Sequence, residues 1–204
     1  MLKNYQRLPN GVIKQIATNP FVYDPEYIEV YNKYGDARIK MAWMRMGYIT
    51  GVIGNPSTLI DVGYGNGDFL RAAREFTECY GHDINDYPIP EGCRFMDDWQ
   101  NFDGDVITFF DVLEHIPDIS FVKDLKAKYI VISVPNCHYE SEQWFESWKH
   151  RKPDEHLWHF NEQSLINFMN ENGYIYLNIS HIEDAIRKGD DKKPNIITGI
   201  FQKV

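Results

Sequence analysis

The chain has 204 residues, of which 43% are hydrophobic and 25% charged, and its formal net charge is −9. These proportions suit one globular domain with a substantial core, and no apolar run approaches the roughly 20 residues of a bilayer-spanning helix. The acidic balance argues against a nucleic-acid partner, whose affinity rests on Lys and Arg displacing counterions. The polar start of the chain lacks the apolar segment of a secretory signal, so the expected setting is the cytoplasm.

In chain order, Tyr23, Tyr27 and Tyr31 recur at helical spacing after Pro25, and Ala37 to Gly54 carries Met41, Met44 and Tyr48 on one helical face. Residues 1–57 are therefore expected to form a helical cap on the domain. From Thr58 onward, short apolar runs alternate with amphipathic stretches, the pattern of parallel strands joined by helices. Strands are predicted at Thr58–Val62, Tyr80–Asp83, Arg94–Met96, Asp105–Phe110 and Tyr129–Val134, with a helix over Gly67–Phe76. The linkers 85–92 and 97–104 are too short or too proline-rich for crossover helices, and are expected to be loops or single turns.

Residues 137–160 read as an aromatic-rich insertion containing Trp144, Phe145, Trp148, Trp158 and Phe160, with a basic cluster at Lys149, His150, Arg151 and Lys152. These rings either bury the insertion or line a pocket for a flat acceptor. Asn161 suits the N-cap of a helix ending at Asn172-Gly173, and Tyr174–His181 and Ile196–Lys203 read as a hairpin. The expected fold is thus α/β, a doubly wound, mostly parallel open sheet with an antiparallel C-terminal hairpin strand. Cys79, Cys93 and Cys137 have neither metal-ligand nor disulfide-framework spacing, and are expected as free thiols.

The strongest motif is LIDVGYGNGDFL, an apolar strand ending near Asp61 and followed by Gly63, Gly65 and Gly67 before a helix. Glycines at alternate positions let the chain turn sharply and bring backbone N–H groups close to a ligand. A dinucleotide fingerprint would need a third glycine at position 68, where Asp68 stands, and no lysine followed by Ser or Thr supports a triphosphate. Asp61 would repel a pyrophosphate, but it can accept hydrogen bonds from an ammonium group or from loop N–H groups. Asp83 falls at the C-terminal edge of the next strand, where a carboxylate either caps a loop or accepts from two vicinal ribose hydroxyls.

Asp61-Val-Gly63-Tyr64-Gly65-Asn-Gly67, Asp83 and DVITFFDVLEHIPD together resemble the successive motifs of class I S-adenosylmethionine-dependent methyltransferases, with a Rossmann-like fold. DVLEHIPD, VISVPN and HLWHF resemble the branch that includes the ubiquinone-biosynthesis O-methyltransferases. The resemblance implies that the loop of Asp61, Gly63, Tyr64, Gly65 and Gly67 holds the methionine portion of S-adenosylmethionine and that Asp83 holds the ribose. It also places Ile84 at an adenine face, Asp97, Asp98 or Trp99 at the adenine edge, and the Phe110 carbonyl at the methionine amine.

For a hydroxyl acceptor a base is needed, and His115, just past the fourth predicted strand, is the candidate; alternatively Glu114 and His115 merely open the next turn. Asp111, Glu114, His115 and His156 also resemble the metal set of small-RNA 3′-end 2′-O-methyltransferases, although Asp111 replaces a glutamate and the net charge is wrong for RNA. The reading adopted has no metal and takes a small-molecule or sugar-like acceptor, favouring O-methylation. Its competitors are a cofactor-binding relative without turnover, acting on a partner, and a nicotinamide oxidoreductase.

Overall fold

The computed structural model describes residues 3–19, 21, 35–189 and 193–204; the Tyr23, Tyr27 and Tyr31 stripe lies outside them. The main sheet consists of β3 (Thr58–Val62), β4 (Glu78–His82), β5 (Arg94–Phe95), β6 (Val106–Phe110), β7 (Tyr129–Pro135), β9 (Tyr174–Ser180) and β10 (Ile196–Lys203), buried and largely apolar at its centre and exposed along the edge strands β5 and β9. Their order across the sheet is β5-β4-β3-β6-β7-β10-β9. The pairs from β5 to β7 are parallel, and β10 runs antiparallel between β7 and β9. The doubly wound sheet with its antiparallel C-terminal hairpin is therefore observed.

Side chains alternate between the two faces of β3. Ile60 and Val62 join a cluster with Ile107, Phe109, Ile132, Phe168 and Met169, whereas Leu59 joins Met46, Ile49, Leu70, Val106, Val131 and Ile200 on the other side. Two helices, α1 (Asp36–Ile53) and α2 (Asp68–Ala73), supply the second cluster, and α4 (Glu162–Glu171) supplies the first. α1 stops at Gly54, whose φ of 78° and N–H bond to the Thr50 carbonyl end the helix. α4 begins in a capping box, with Asn161 and Ser164 each accepting the other's backbone N–H. A shorter helix, α3 (Glu142–Ser147), lies between β7 and α4.

Three expectations need correction. The first 57 residues are not simply a helical cap: β1 (Tyr5–Arg7) and β2 (Ile13–Gln15) form a hairpin, and β2 also pairs with β8 (Trp158–His159) of the aromatic insertion. These strands are so short that their alternation carries no periodic signal, and β2 takes its second partner, β8, from far along the chain. Second, α2 ends at Ala73 rather than Phe76, because the N–H groups of Glu75 and Phe76 bond the carbonyls three residues back, of Ala72 and Ala73, in place of the α-helical partners four back. Phe76 is left exposed, edge-on to Trp43. Third, Asp83 and Met96 lie beyond their strands, which end at His82 and Phe95. The linkers are irregular as expected, apart from one 3-10 turn over Trp99–Asn101. Cys79, Cys93 and Cys137 are free, and no helix among the described residues is long and apolar enough to cross a membrane.

Candidate functional site

From β3 the chain winds outward to β4 and β5, then returns to place β6 on the other side of β3. Such a reversal opens a crevice at the carboxyl ends of the two central strands, where open α/β sheets collect ligands. The glycine loop leaves β3 at this point. Gly63 has φ 76° and donates its N–H to the His82 carbonyl at 2.7 Å, and a Cβ there would stand 2.4 Å from Val112 Cγ2. Gly65 has φ 53° and open space where its Cβ would be. Gly67, left-handed at the N-cap, starts α2. The loop thus runs flush against the segment that follows β6, with its middle glycine open.

Asp61 sits beneath this loop, 3% exposed, directly opposite Thr108 in the β3–β6 register. Its Oδ1 accepts the Thr108 hydroxyl at 2.6 Å. Burial pushes the carboxyl up to about 7, against the opposing pull of the Thr108 hydrogen bond and the Arg45 guanidinium. The loop N–H that Asp61 was expected to attract goes elsewhere: Gly65 donates to Asp83 Oδ2 at 2.8 Å. Asp83 Oδ1 accepts both the Asn85 N–H at 2.9 Å and the Asn85 side-chain amide at 3.3 Å, which leaves the further acceptor capacity on Oδ2.

Asp83 and Ile84 share a crevice of about 480 Å³ with Tyr64, Tyr87, Ile89 and Phe95. Ile84 is 77% exposed there, an open apolar face. Tyr64 is buried, and its hydroxyl donates to the Tyr87 carbonyl, tying the loop to the opposite wall. Asp97, Asp98 and Trp99 do not line this crevice. The Asp98 carboxylate takes the Asn101 amide at 2.9 and 3.0 Å, and the Trp99 ring packs edge-on against Phe109 and Phe121 in the core. These three residues follow β5 directly, but packing rather than ligand access orients Trp99.

Phe110 ends β6, buried between Phe69, edge-on at 4.7 Å, and the Arg45 guanidinium, 4.2 Å above its ring. Arg45 leads into a charge network that the sequence did not reveal. It donates to Glu183 Oε1 at 2.7 Å and Asp111 Oδ2 at 3.2 Å, while Arg187 Nη1 reaches both Asp111 oxygens and Glu183 Oε2 at 2.8 Å. Although burial opposes it, the two guanidiniums hold Asp111 down to about 2. Asp111 also carries a left-handed φ of 57°. It is therefore occupied as an ion-pair partner, and the metal set suggested by sequence loses that member.

Glu114 and His115 lie in a 3-10 turn, Leu113–His115. The Leu157 N–H bonds the Glu114 carbonyl at 2.8 Å and the Trp158 indole bonds the Ile116 carbonyl at 2.7 Å, so residues 156–158 are clamped against this turn. The clamp brings the His115 and His156 rings to 4.6 Å, edge to face. Glu114 is 1% exposed, and neither carboxylate oxygen has a hydrogen-bond partner. Burial, followed by the charge of Asp111, raises its carboxyl well above the usual range. Burial also lowers His115 to about 4, so the ring is neutral at pH 7 but reluctant to hold a proton.

The insertion's aromatics divide. Phe145 is buried with Tyr5, Ile13 and Cys137, and Trp158 and Phe160 join the main core. Trp144 and Trp148 stack at 5.5 Å and line a separate groove of about 220 Å³ with His138, Lys149 and Asn195.

An open sheet with a glycine cradle at its switch point and an acidic strand end beside it defines a protein of the nucleotide-cofactor-binding α/β class. The chain belongs to the methyltransferase domain family, whose sequence model matches residues 31–178. It is an enzyme of the methyltransferase class, and the methyl donor that its motifs imply by resemblance is S-adenosylmethionine. The cradle fits that group: Gly65 leaves room beside a backbone turn, and Asp83 retains acceptor capacity at the mouth of the crevice.

Among solved structures, the fold is similar to 1,6-didemethyltoxoflavin-N1-methyltransferase of Burkholderia thailandensis, bound to 1,6-didemethyltoxoflavin and S-adenosylhomocysteine. That match has TM-score 0.59 and 13% identity over 99% of this chain and 100% of that one. Magnesium protoporphyrin IX methyltransferase of Synechocystis, with bound S-adenosylhomocysteine, matches at TM-score 0.57 and 13% identity over 91% and 90%. A SAM-dependent methyltransferase of Aquifex aeolicus matches at TM-score 0.59 and 13% identity over 90% and 100%. No curated protein sequence matches the chain.

Proposed function

We propose that the chain acts as one cytoplasmic domain that transfers a methyl group from S-adenosylmethionine to a hydroxyl of a small-molecule or sugar-like acceptor. The observation that carries the cofactor half is the Gly65 N–H to Asp83 bond of 2.8 Å, which sets the glycine loop and the acidic strand end against each other. In this reading the backbone at Gly63, Tyr64, Gly65 and Gly67 surrounds the methionine portion. Asp61 and the Phe110 carbonyl receive its ammonium, Asp83 the ribose hydroxyls and Ile84 one adenine face. Asp97, Asp98 and Trp99 lie outside the lining of the crevice, and we keep them as the adenine edge only for a base that extends past Phe95.

The bound cofactor supplies an electrophilic methyl on a sulfonium. The chain's own contribution is to hold donor and acceptor in line, which accounts for much of the barrier reduction in a displacement of this kind. We assign His115 to the acceptor side; what supports this is that its turn follows β6 and begins beside Val112, the residue that a Cβ on Gly63 would meet. It is neutral and able to accept the hydroxyl proton, although its burial makes the resulting cation costly.

The neighbours' acceptors do not select this one's: their names specify a toxoflavin precursor and a porphyrin. An oxygen acceptor is favoured here by the DVLEHIPD, VISVPN and HLWHF stretches, which resemble the ubiquinone-biosynthesis O-methyltransferases. The net charge of −9 favours a small molecule over nucleic acid. Calorimetry with S-adenosylhomocysteine tests the cofactor half, and transfer of labelled methyl into pooled hydroxyl, amine and carbon acceptors tests the other. Saturable cofactor heat with label only in amine or carbon products would reject O-methylation while retaining the cofactor site.

A further inference from the structure

We propose that the groove beside the aromatic insertion binds one sugar ring, a pyranose whose apolar face lies on the indole pair of Trp144 and Trp148 and whose hydroxyls meet the Asn136 amide. The groove lies at the carboxyl edge of the sheet. Asn136 directly follows β7, Asn195 directly precedes β10, and the Asn136 N–H donates to the Asn195 carbonyl at 2.8 Å. Because β7 is the neighbour of β6, the groove opens at the same edge as Phe110. Its volume of about 220 Å³ falls below the roughly 300 to 1,000 Å³ of pockets for drug-sized ligands, which limits it to one small ring.

Asn136 is the observation that carries the proposal. It lines the groove and is only 3% exposed, yet its side-chain amide makes no hydrogen bond among the described residues. Buried polar groups in folded proteins are nearly always partnered, and an exception facing a groove points to a partner that arrives from the groove. The polar groups around it are already held. His138 Nε2 bonds the Pro194 carbonyl at 2.8 Å, and the Ser147 hydroxyl donates to the Trp144 carbonyl at 3.1 Å. Asn195 uses Oδ1 on His150 Nε2 at 2.9 Å and Nδ2 on the Arg187 carbonyl at 2.7 Å. At the rim, Lys193 is paired with Glu140, and Lys149 donates to the Lys188 carbonyl at 3.5 Å.

An amide offers an acceptor and two donors, so the group that satisfies it must both donate and accept, as a hydroxyl does. A carboxylate only accepts and an ammonium only donates. The indoles set the second requirement. Trp144 and Trp148 are half-buried and stack at 5.5 Å with 22° between their planes. A flat ring inserted between them would need a separation of about 7 Å, twice the contact distance of carbon atoms, so a ligand rests against the pair and not within it. The negative face of an indole attracts weakly positive C–H groups. A pyranose meets both requirements, with C–H groups on its ring face and hydroxyls around its rim. That this sugar is also the methyl acceptor rests on the function proposed above; the binding site does not.

The test uses the whole chain, isotopically labelled on nitrogen, with the Trp144 and Trp148 indole N–H resonances assigned from Trp144→Phe and Trp148→Phe. D-glucose, D-galactose, D-mannose and D-glucuronate are titrated separately to about 100 mM, a range that detects millimolar dissociation constants. At least one of them should shift both indole signals saturably. In Asn136→Ala, checked for an unchanged circular dichroism spectrum, the affinity should fall roughly tenfold or more. Should that variant fail to fold, Trp144→Ala takes its place, read through the Trp148 indole. No shift from any of these sugars, an undiminished affinity in the folded variant, or a response to 4-hydroxybenzoate alone overturns the proposal. Heat from S-adenosylhomocysteine, measured on the same samples, separates failure of the sugar site from failure of the cofactor reading.

Discussion

Asp61 and Thr108 face each other across neighbouring parallel strands, with the hydroxyl 2.6 Å from the carboxylate and both side chains inside the protein. Burial that raises Asp61 to about 7 makes it the group whose charge changes when an ammonium arrives. An arriving cation favours the ionised form, so cofactor binding should release a proton below pH 7 and strengthen between pH 6 and 8. Calorimetry of S-adenosylhomocysteine in two buffers of different ionisation enthalpy measures this release. Asp61→Asn should abolish both the proton release and the pH dependence; a wild-type affinity that is flat from pH 6 to 8 contradicts the assignment.

The same shift bears on stability. Because Asp61 keeps its proton in the folded chain above the pH at which the unfolded chain loses it, its favourable contribution is full below about 4 and is lost as pH rises to 7. Three units correspond to roughly 4 kcal/mol as an upper bound. Denaturant titration should therefore find Asp61→Asn more stable than the parent at pH 8, with the gain shrinking toward pH 4.

Asp83 organises the loop as well as facing the crevice. Asp83→Ala removes the acceptor of the Gly65 N–H and the proposed ribose contact together, and should weaken S-adenosylhomocysteine binding by about 1 to 3 kcal/mol. Unchanged affinity in calorimetry would remove Asp83 from the site.

Much of this arrangement was legible in the sequence because its parts are local. Thr58–Val62 is a strand buried on both faces, hence apolar at Leu59, Ile60 and Val62 around the single acid Asp61, and Gly54 and Asn161 stop and start helices by chemistry confined to one turn. The glycine loop follows from the same logic. The Asp111, Glu183, Arg45 and Arg187 network could not be read this way, since its members are scattered along the chain and each alone looks like a solvated charge. Nor could Asp61's buried partner be foreseen: Thr108 meets it only once β3 and β6 are placed in register. The β1–β2 hairpin failed for a related reason, as β2 completes its pairing with β8 only after the intervening sheet is built.

That network predicts a steep cost for removing one member. Glu183 is fully buried and contacts Arg45, Arg187 and Ser133, so Glu183→Ala should destabilise the fold by about 3 to 5 kcal/mol by leaving two guanidiniums to share the single carboxylate of Asp111. Asp111, held near 2, contributes stability that is present above its ordinary pKa near 4 and lost as pH falls through 2. Asp111→Asn should accordingly cost stability at pH 7 and little below pH 2, as read from unfolding curves at both pH values.

Gly63 offers the sharpest steric test of where the cofactor loop touches the acceptor side. A Cβ at this position would stand 2.4 Å from Val112 Cγ2, and the left-handed φ of 76° adds a backbone penalty for any other residue. For Gly63→Ala the backbone term is about 1 to 2 kcal/mol and the overpacking term about 1 to 3 kcal/mol. The two are separable. Val112→Ala removes the obstructing methyl, so the double variant should recover the overpacking cost and retain the backbone cost, in both unfolding free energy and S-adenosylhomocysteine affinity. Strict additivity of the two single substitutions would mean that the loop and the segment after β6 do not touch as described.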